Sequence, residues 1–94
     1  MDMQQLLSGL KVDLGIRAEA YDGRLRDRLQ EAQERLAAEG ITLEDTQADR
    51  DLVIMYAGWL WRSRIDGAPM SRMLTVARNN RLFGQKARTE ASAT

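Results

Sequence analysis

The sequence of 94 residues contains neither cysteine nor histidine. Without cysteine it forms no disulfide and offers no thiolate to zinc, and without histidine it has no imidazole to act as a base or a metal ligand. The serines have no evident base beside them, and the carboxylates alternate with basic residues, as they do on a solvated helix face. We therefore expect the chain not to be an enzyme and to need no cofactor or metal.

Helix-breaking residues and long apolar runs are also scarce. One proline and seven glycines interrupt the chain, which favours helices over a strand-and-turn architecture. No apolar run approaches the roughly 20 residues of a membrane span. No basic segment precedes the apolar residues of the N-terminal MDMQQLLSGL, so neither a membrane span nor a signal peptide is expected. The absence of disulfides fits a reducing cytoplasm.

Apolar residues recur at helical spacing in four segments. The predicted helices cover residues 3–13, 21–39, 47–65 and 69–82. Gly15 and Gly40 are natural stops for the first two helices. Thr46, with Asp49 three residues later, resembles a capping box at the start of the third helix, and Pro69 suits the first turn of the fourth.

These helices predict an all-α fold, a small bundle of about four helices in one domain over residues 1–84. The remaining residues, 85–94, are polar, small and aperiodic, and they are expected to form a flexible tail. Ninety-four residues are enough for one small core, because a chain of this size buries somewhat over 60% of its unfolded surface.

The stretch DLVIMYAGWLWRSRIDG (residues 51–67) contains most of the predicted third helix, and its middle is apolar on nearly every side. Such a helix belongs at the centre of a bundle, but three neighbours with narrow apolar faces offer little surface to cover it. One interpretation is that a second protein chain buries part of this helix, since buried aromatic residues are typical of interface centres. The predicted oligomer interface contains Trp59, Trp61, Arg62 and Arg64. The other interpretation is that the bundle itself covers the helix.

Formal net charge is zero, but the charges are unevenly distributed. Residues 41–61 carry four acids and one base, whereas residues 62–94 carry two acids and seven bases. An acidic N-terminal part and a basic C-terminal part of the chain suit head-to-tail assembly or binding to an acidic partner. A solvated surface without a binding role explains the same pattern.

Two stretches, YDGRLRDRLQEAQERLAAEGI and DRDLVIMYAGWLWRSRIDGAPMSRMLTVARNNRLF, together resemble the head-tail connector proteins of long-tailed bacteriophages and prophages. These proteins are also called head-completion or adaptor proteins. The resemblance lies in the opening DRDLV, the aromatic YAGWLW, the basic turn that follows it, and NNRLF near the end. It covers about residues 3–84.

The resemblance implies a structural virion protein at the head-tail interface, made in the cytoplasm of the host bacterium. Many copies, often twelve, would form a ring beneath the portal protein and extend the DNA channel to the stopper or the tail. Double-stranded DNA would pass through the ring without sequence-specific binding, and no membrane would be involved. In relatives, a longer loop between the second and third helices can reach the next ring, and the short connector here departs from that pattern.

The basic end of the chain is the predicted partner-binding segment, which would dock on the portal or an adjoining ring. It contains Arg78, Asn79, Asn80, Arg81, Phe83 and Arg88. An aromatic residue at a helix end has little use in a small core, and the two asparagines offer hydrogen bonds to a partner. The alternative interpretation is that these residues simply end the helix.

A competing function is a small dimeric helical regulatory module, either antitoxin-like or DNA-binding. It too would bury an aromatic helix between chains, and the basic residues near the C-terminus would then contact phosphates. Oligomer size and salt-sensitive DNA binding distinguish the two functions.

Overall fold

The computed structural model describes the backbone of residues 1–93 and the side chains of residues 1–90. This part of the chain forms four α-helices and no strand, so the predicted all-α class is confirmed. The helices are α1 (Met3–Leu14), α2 (Asp22–Ala38), α3 (Gln47–Asp66) and α4 (Arg72–Ala93). A single 3₁₀ turn, Glu19–Tyr21, leads into α2.

Helices α1, α2 and α3 pack against one another around one apolar core. From α1 and α2 the core receives Leu6, Leu7, Leu10, Leu25, Leu29, Ala32 and Leu36. From α3 it receives Leu52, Val53, Tyr56, Ala57, Leu60 and Trp61. Helix α3 therefore lies at the centre, as its sequence predicts, because its apolar residues point towards several neighbours at once.

The connection between α1 and α2 begins at a glycine with left-handed backbone geometry. Gly15 has φ 69°, its N–H donates to the carbonyl of Val12, and the N–H of Ile16 donates to the carbonyl of Lys11. This is a Schellman-type ending, which satisfies two carbonyl groups that the helix leaves unpaired. The predicted stop at Gly15 is confirmed, and the chain turns there to bring α2 back against α1.

Of the two hydrogen bonds in the capping box predicted at the start of α3, one forms. The hydroxyl of Thr46 accepts a hydrogen bond from the N–H of Asp49 at 3.2 Å. The carboxylate of Asp49 does not return to Thr46, as it would in a reciprocal capping box. It accepts instead from the N–H of Glu44 at 2.8 Å and turns towards α4.

This cap yields a stability prediction. We expect Thr46→Ala to lower the free energy of unfolding by about 1 kcal/mol, because the N–H of Asp49 loses its acceptor. Thr42→Ala is the control, since Thr42 is exposed and bonds to α4 through its backbone. Urea denaturation of both variants measures the difference. Equal small losses would show that the hydroxyl of Thr46 does not stabilise the helix.

Helix α4 differs from the predicted helix over 69–82 at both ends. It begins at Arg72 because the hydroxyl of Ser71 accepts from the N–H of Leu74 and caps the helix, leaving Pro69 in the connector. It continues through Gly84 to Ala93, across most of the segment predicted as a polar tail. That segment lacks apolar periodicity but is rich in good helix formers such as Ala, Gln, Lys and Arg. The domain boundary at residue 84 stays a prediction.

Among the α4 residues whose side chains the structure describes, one side of the helix packs on the rest of the molecule. Leu74 is fully buried, and Ala77 and Leu82 pack against the core. A helix of 22 residues is about 33 Å long, and the molecule measures 51 × 28 × 18 Å along its principal axes. The second half of α4 is therefore attached mainly through polar contacts, which define the candidate site.

Candidate functional site

The side of α4 that packs on the rest of the molecule is here called the inner face. It is joined to the start of α3 by a buried ion pair. Arg81 Nε donates to Asp49 Oδ1 at 2.7 Å, and Arg81 Nη2 donates to Asp49 Oδ2 at 3.1 Å. Asp49 is only 2% exposed, whereas the Arg81 side chain is 15% exposed. This two-point geometry between a guanidinium and a carboxylate is both strong and directional. It fixes the rotation of α4 about its own axis.

The surroundings of Asp49 have opposing effects on the pKa of its carboxyl group. Burial raises the pKa of the carboxyl group, while the hydrogen bond from Arg81, the N–H of Glu44 and the positive charge of Arg81 lower it. The net effect is a pKa below the ordinary value for aspartate. Asp49 is therefore a charged carboxylate at neutral pH, held by its partner rather than poised to exchange a proton.

Gln85 and Arg78 extend the inner contact on either side of Arg81. Gln85 Oε1 accepts from the N–H of Thr42 at 2.7 Å, and Gln85 Nε2 donates to the carbonyl of Gly40 at 2.7 Å. Arg78 forms an ion pair with Glu39 at 3.2 Å. These side chains hold α4 against the connector between α2 and α3.

The opposite face of α4, here called the outer face, points away from the molecule. It consists of Met73, Val76, Asn80, Phe83 and Ala87, spaced three and four residues apart. Met73 is 72% exposed, Val76 47% and Phe83 64%. A helix with apolar residues on two opposite sides has more apolar surface than one attachment requires, and contiguous exposed apolar residues mark interaction sites.

The structure separates the predicted partner-binding residues into two groups. Arg78 and Arg81 face inward and are bound to Glu39 and Asp49, so they contribute to internal packing. Asn79 is half-buried. Asn80, Phe83 and Arg88 are exposed. Helix α4 continues past all of them, so the alternative interpretation that they end the helix is wrong.

The residues of the predicted oligomer interface also have different surroundings. Trp61 is 8% exposed and contacts the ring of Tyr21 edge to face at 5.8 Å. Trp59 is half-buried, contacts Tyr56 edge to face at 5.6 Å, and donates from its indole N–H to the carbonyl of Ala68 at 3.0 Å. Both indoles therefore have partners within one chain.

Arg62 and Arg64 are exposed at the end of α3. The guanidinium of Arg64 stacks over the ring of Trp61 at 3.6 Å and donates to the carbonyl of Trp61. Much of the apolar surface that suggested a second chain is thus covered by the bundle and by Arg64. The assignment of these four residues to an oligomer interface stays a prediction.

Sequence reasoning missed the contact between Asp49 and Arg81, although a signal was present. Asp49 precedes Leu52, Val53 and Tyr56 by three, four and seven residues, so it lies on the buried side of α3. A carboxylate on a buried face requires a partner, since an unpaired buried charge is costly. The spacing of residues does not identify which of the seven bases near the C-terminus is that partner.

Among the described residues, no group of three or more acidic side chains is arranged to hold a metal ion. None of the helices in that part of the chain is both long and apolar enough to cross a membrane. Comparisons of the chain with protein-family models, with curated proteins and with solved structures found no match.

Proposed function

We propose that this chain is a structural, non-catalytic protein of a bacteriophage or prophage virion, a head-tail connector that assembles as a ring beneath the portal. Its partners would be further copies of itself, the portal protein and a stopper or tail protein. DNA would pass through the ring without sequence-specific binding. The proposal rests first on the resemblance of residues 3–84 to connector proteins, which the order of four helices accommodates.

The observation that best supports an assembly role is that α4 has one face anchored to the molecule and an opposite face exposed to solvent. Its inner face is anchored by Arg81 and Gln85, and its outer face exposes Asn80 and Phe83, two residues of the NNRLF segment. Anchoring makes a projecting helix rigid, and a rigid exposed face binds a partner at a lower entropic cost than a mobile one.

The competing regulatory function receives less support from the charges. A DNA-binding module needs basic side chains free to contact phosphates. Here Arg78 and Arg81 are occupied by Glu39 and Asp49, and Arg64 stacks on Trp61. Fewer cations are therefore available for a nucleic acid than the sequence suggests.

Electron microscopy of the concentrated protein, alone and mixed with portal-bearing heads that lack it, tests the proposal. We expect rings and added density at the portal vertex, because a connector associates with itself and with the portal. Duplex-binding measurements near physiological salt provide the second test. No sequence-specific complex tighter than about 10⁻⁸ M is expected, since that is the weak limit of specific recognition.

A stable dimer that forms such a specific, salt-sensitive complex would contradict the connector and support the regulator. Failure to bind portal-bearing heads under conditions where the helices remain intact by circular dichroism would also contradict the proposal. Heads from an unrelated phage serve as the control for non-specific adhesion.

A further inference from the structure

A second apolar surface lies between α1 and α3. This α1/α3 groove has a volume of about 610 Å³, and its apolar lining includes Val12, Ile54 and Met55. Val12 is 80% exposed, and the other two are half-buried. At Gly9 the two helices approach so closely that a Cβ atom would lie 2.7 Å from Ile54 Cδ1. The groove is therefore closed by direct helix contact at its base and open to solvent above.

The charges around the α1/α3 groove are predominantly acidic. Asp13 and Asp51 lie in its lining and are exposed. The one basic residue of the lining, Arg50, forms an ion pair with Asp45 at 2.8 Å. Its charge is thus neutralised within the chain, and the groove presents two carboxylates beside an apolar floor.

The outer face of α4 has the opposite charge. Arg72 and Lys86 are exposed and lie along one side of the stripe that contains Val76 and Phe83. The two bases lie fourteen positions apart in the chain, which is about 21 Å along the helix. An apolar helix face with basic flanks is complementary to an apolar groove with acidic flanks.

We infer that the outer face of α4 of one copy docks in the α1/α3 groove of a second copy. The charges favour this contact over pairing of two α4 helices. An antiparallel pair centred on Asn80 would bring the basic flanks of both helices together, and like charges across an interface are unfavourable. The groove instead offers Asp13 and Asp51 to Arg72 and Lys86.

The contact joins two copies and does not close within one. The inner face of α4 is bound to the chain through Arg81 and Gln85, so the outer face necessarily points away from it. The two surfaces differ, so the contact is head-to-tail and propagates from copy to copy into a ring or a filament. Its setting in a virion rests on the proposed function, whereas the contact itself is a property of the isolated protein.

Reciprocal charge reversal tests this contact. One variant carries Arg72→Glu and Lys86→Glu, and the other carries Asp13→Lys and Asp51→Lys. We expect the native chain to self-associate in sedimentation velocity, more strongly at low salt. Each variant alone is expected to associate about tenfold more weakly, because like charges then meet at the contact. An equimolar mixture should recover association, since every contact then joins opposite charges.

Phe83→Ser tests the apolar part, with Ile65→Ser as its matched control. Ile65 is 80% exposed at the end of α3 and lies outside both surfaces. We expect Phe83→Ser to weaken association and Ile65→Ser to leave it unchanged, with helix content unaltered in both. The opposite result would overturn the inference, as would a native chain that stays monomeric at millimolar concentration or a mixture that does not recover association.

Binding to portal-bearing heads distinguishes this inference from the proposed function. If the mixture associates but neither it nor the native chain binds heads, the contact stands and the connector function fails. If the native chain binds heads and Phe83→Ser abolishes that binding without changing self-association, the portal occupies the outer face. The inference is then wrong and the connector function stands.

Discussion

Replacing Arg81 with methionine is expected to lower the free energy of unfolding by about 3–5 kcal/mol at neutral pH. Asp49 is 2% exposed and charged, and the substitution leaves its carboxylate buried without its cationic partner. Removing one partner of a buried ion pair has a cost of this size because the remaining charge stays buried, and the neutral N–H of Glu44 that still donates to it does not replace a guanidinium. Urea denaturation followed by circular dichroism measures the loss.

Arg78→Met is the matched control for Arg81→Met, because it makes the same substitution one turn earlier on α4. Arg78 pairs with Glu39, and both side chains are partly exposed at 25% and 32%. Water solvates the remaining charge when such a pair is broken, so the expected decrease in the free energy of unfolding is at most about 1 kcal/mol. Equal losses in the two variants would show that burial of Asp49 does not determine the strength of the contact.

The effect of Arg81→Met is also expected to depend on pH. The folded pKa of Asp49 lies below the ordinary aspartate value of 3.8. The stability that this shift provides is therefore fully present above about pH 4 and is lost as the pH falls through the folded pKa. In the variant, burial raises the pKa of Asp49 without the opposing effect of Arg81. We expect the stability difference between native chain and variant to narrow from about pH 7 to about pH 3.

The second large effect is expected at Trp61. Trp61→Ala should lower the free energy of unfolding by about 3–5 kcal/mol. The indole is 8% exposed, contacts Tyr21 edge to face and lies beneath the guanidinium of Arg64. Its removal would leave a cavity between α3 and the start of α2 and would also remove these two ring contacts.

Trp59→Ala is the comparison for Trp61→Ala. Trp59 is half-buried, so less apolar surface is lost, although the carbonyl of Ala68 loses its hydrogen-bond donor. We expect a smaller loss of stability than at Trp61. If Trp61→Ala instead leaves stability unchanged and abolishes self-association, Trp61 is an interface residue, as one interpretation of the sequence holds.

The α3 segment shows how far sequence patterns lead. Its position at the centre of the bundle follows from apolar residues on several sides of one helix, and the structure confirms it. The pattern could not show whether the neighbours cover Trp59 and Trp61. That depends on contacts with Tyr21 and Ala68, which lie 40 residues before Trp61 and nine after Trp59.

The end of α4 shows a different limit. Residues 85–93 have no apolar period, and this pattern predicts a tail. In the structure they continue a helix whose inner side is held by Arg81 and Gln85. Polar anchoring leaves no apolar repeat in the sequence, so a search for hydrophobic periodicity cannot detect it.

The sequence by itself determined the all-α class, the order of the helices, and the stop at Gly15 together with the cap at Thr46. Each of these depends on residues within a few positions of one another, where spacing and backbone preference decide the conformation. Only the tertiary structure decided which face of α4 is attached and which is exposed. That choice depends on Asp49 and Arg81, which are 32 residues apart in the chain. Coulomb attraction depends on the distance between two charges in space, and only the fold brings these two side chains together.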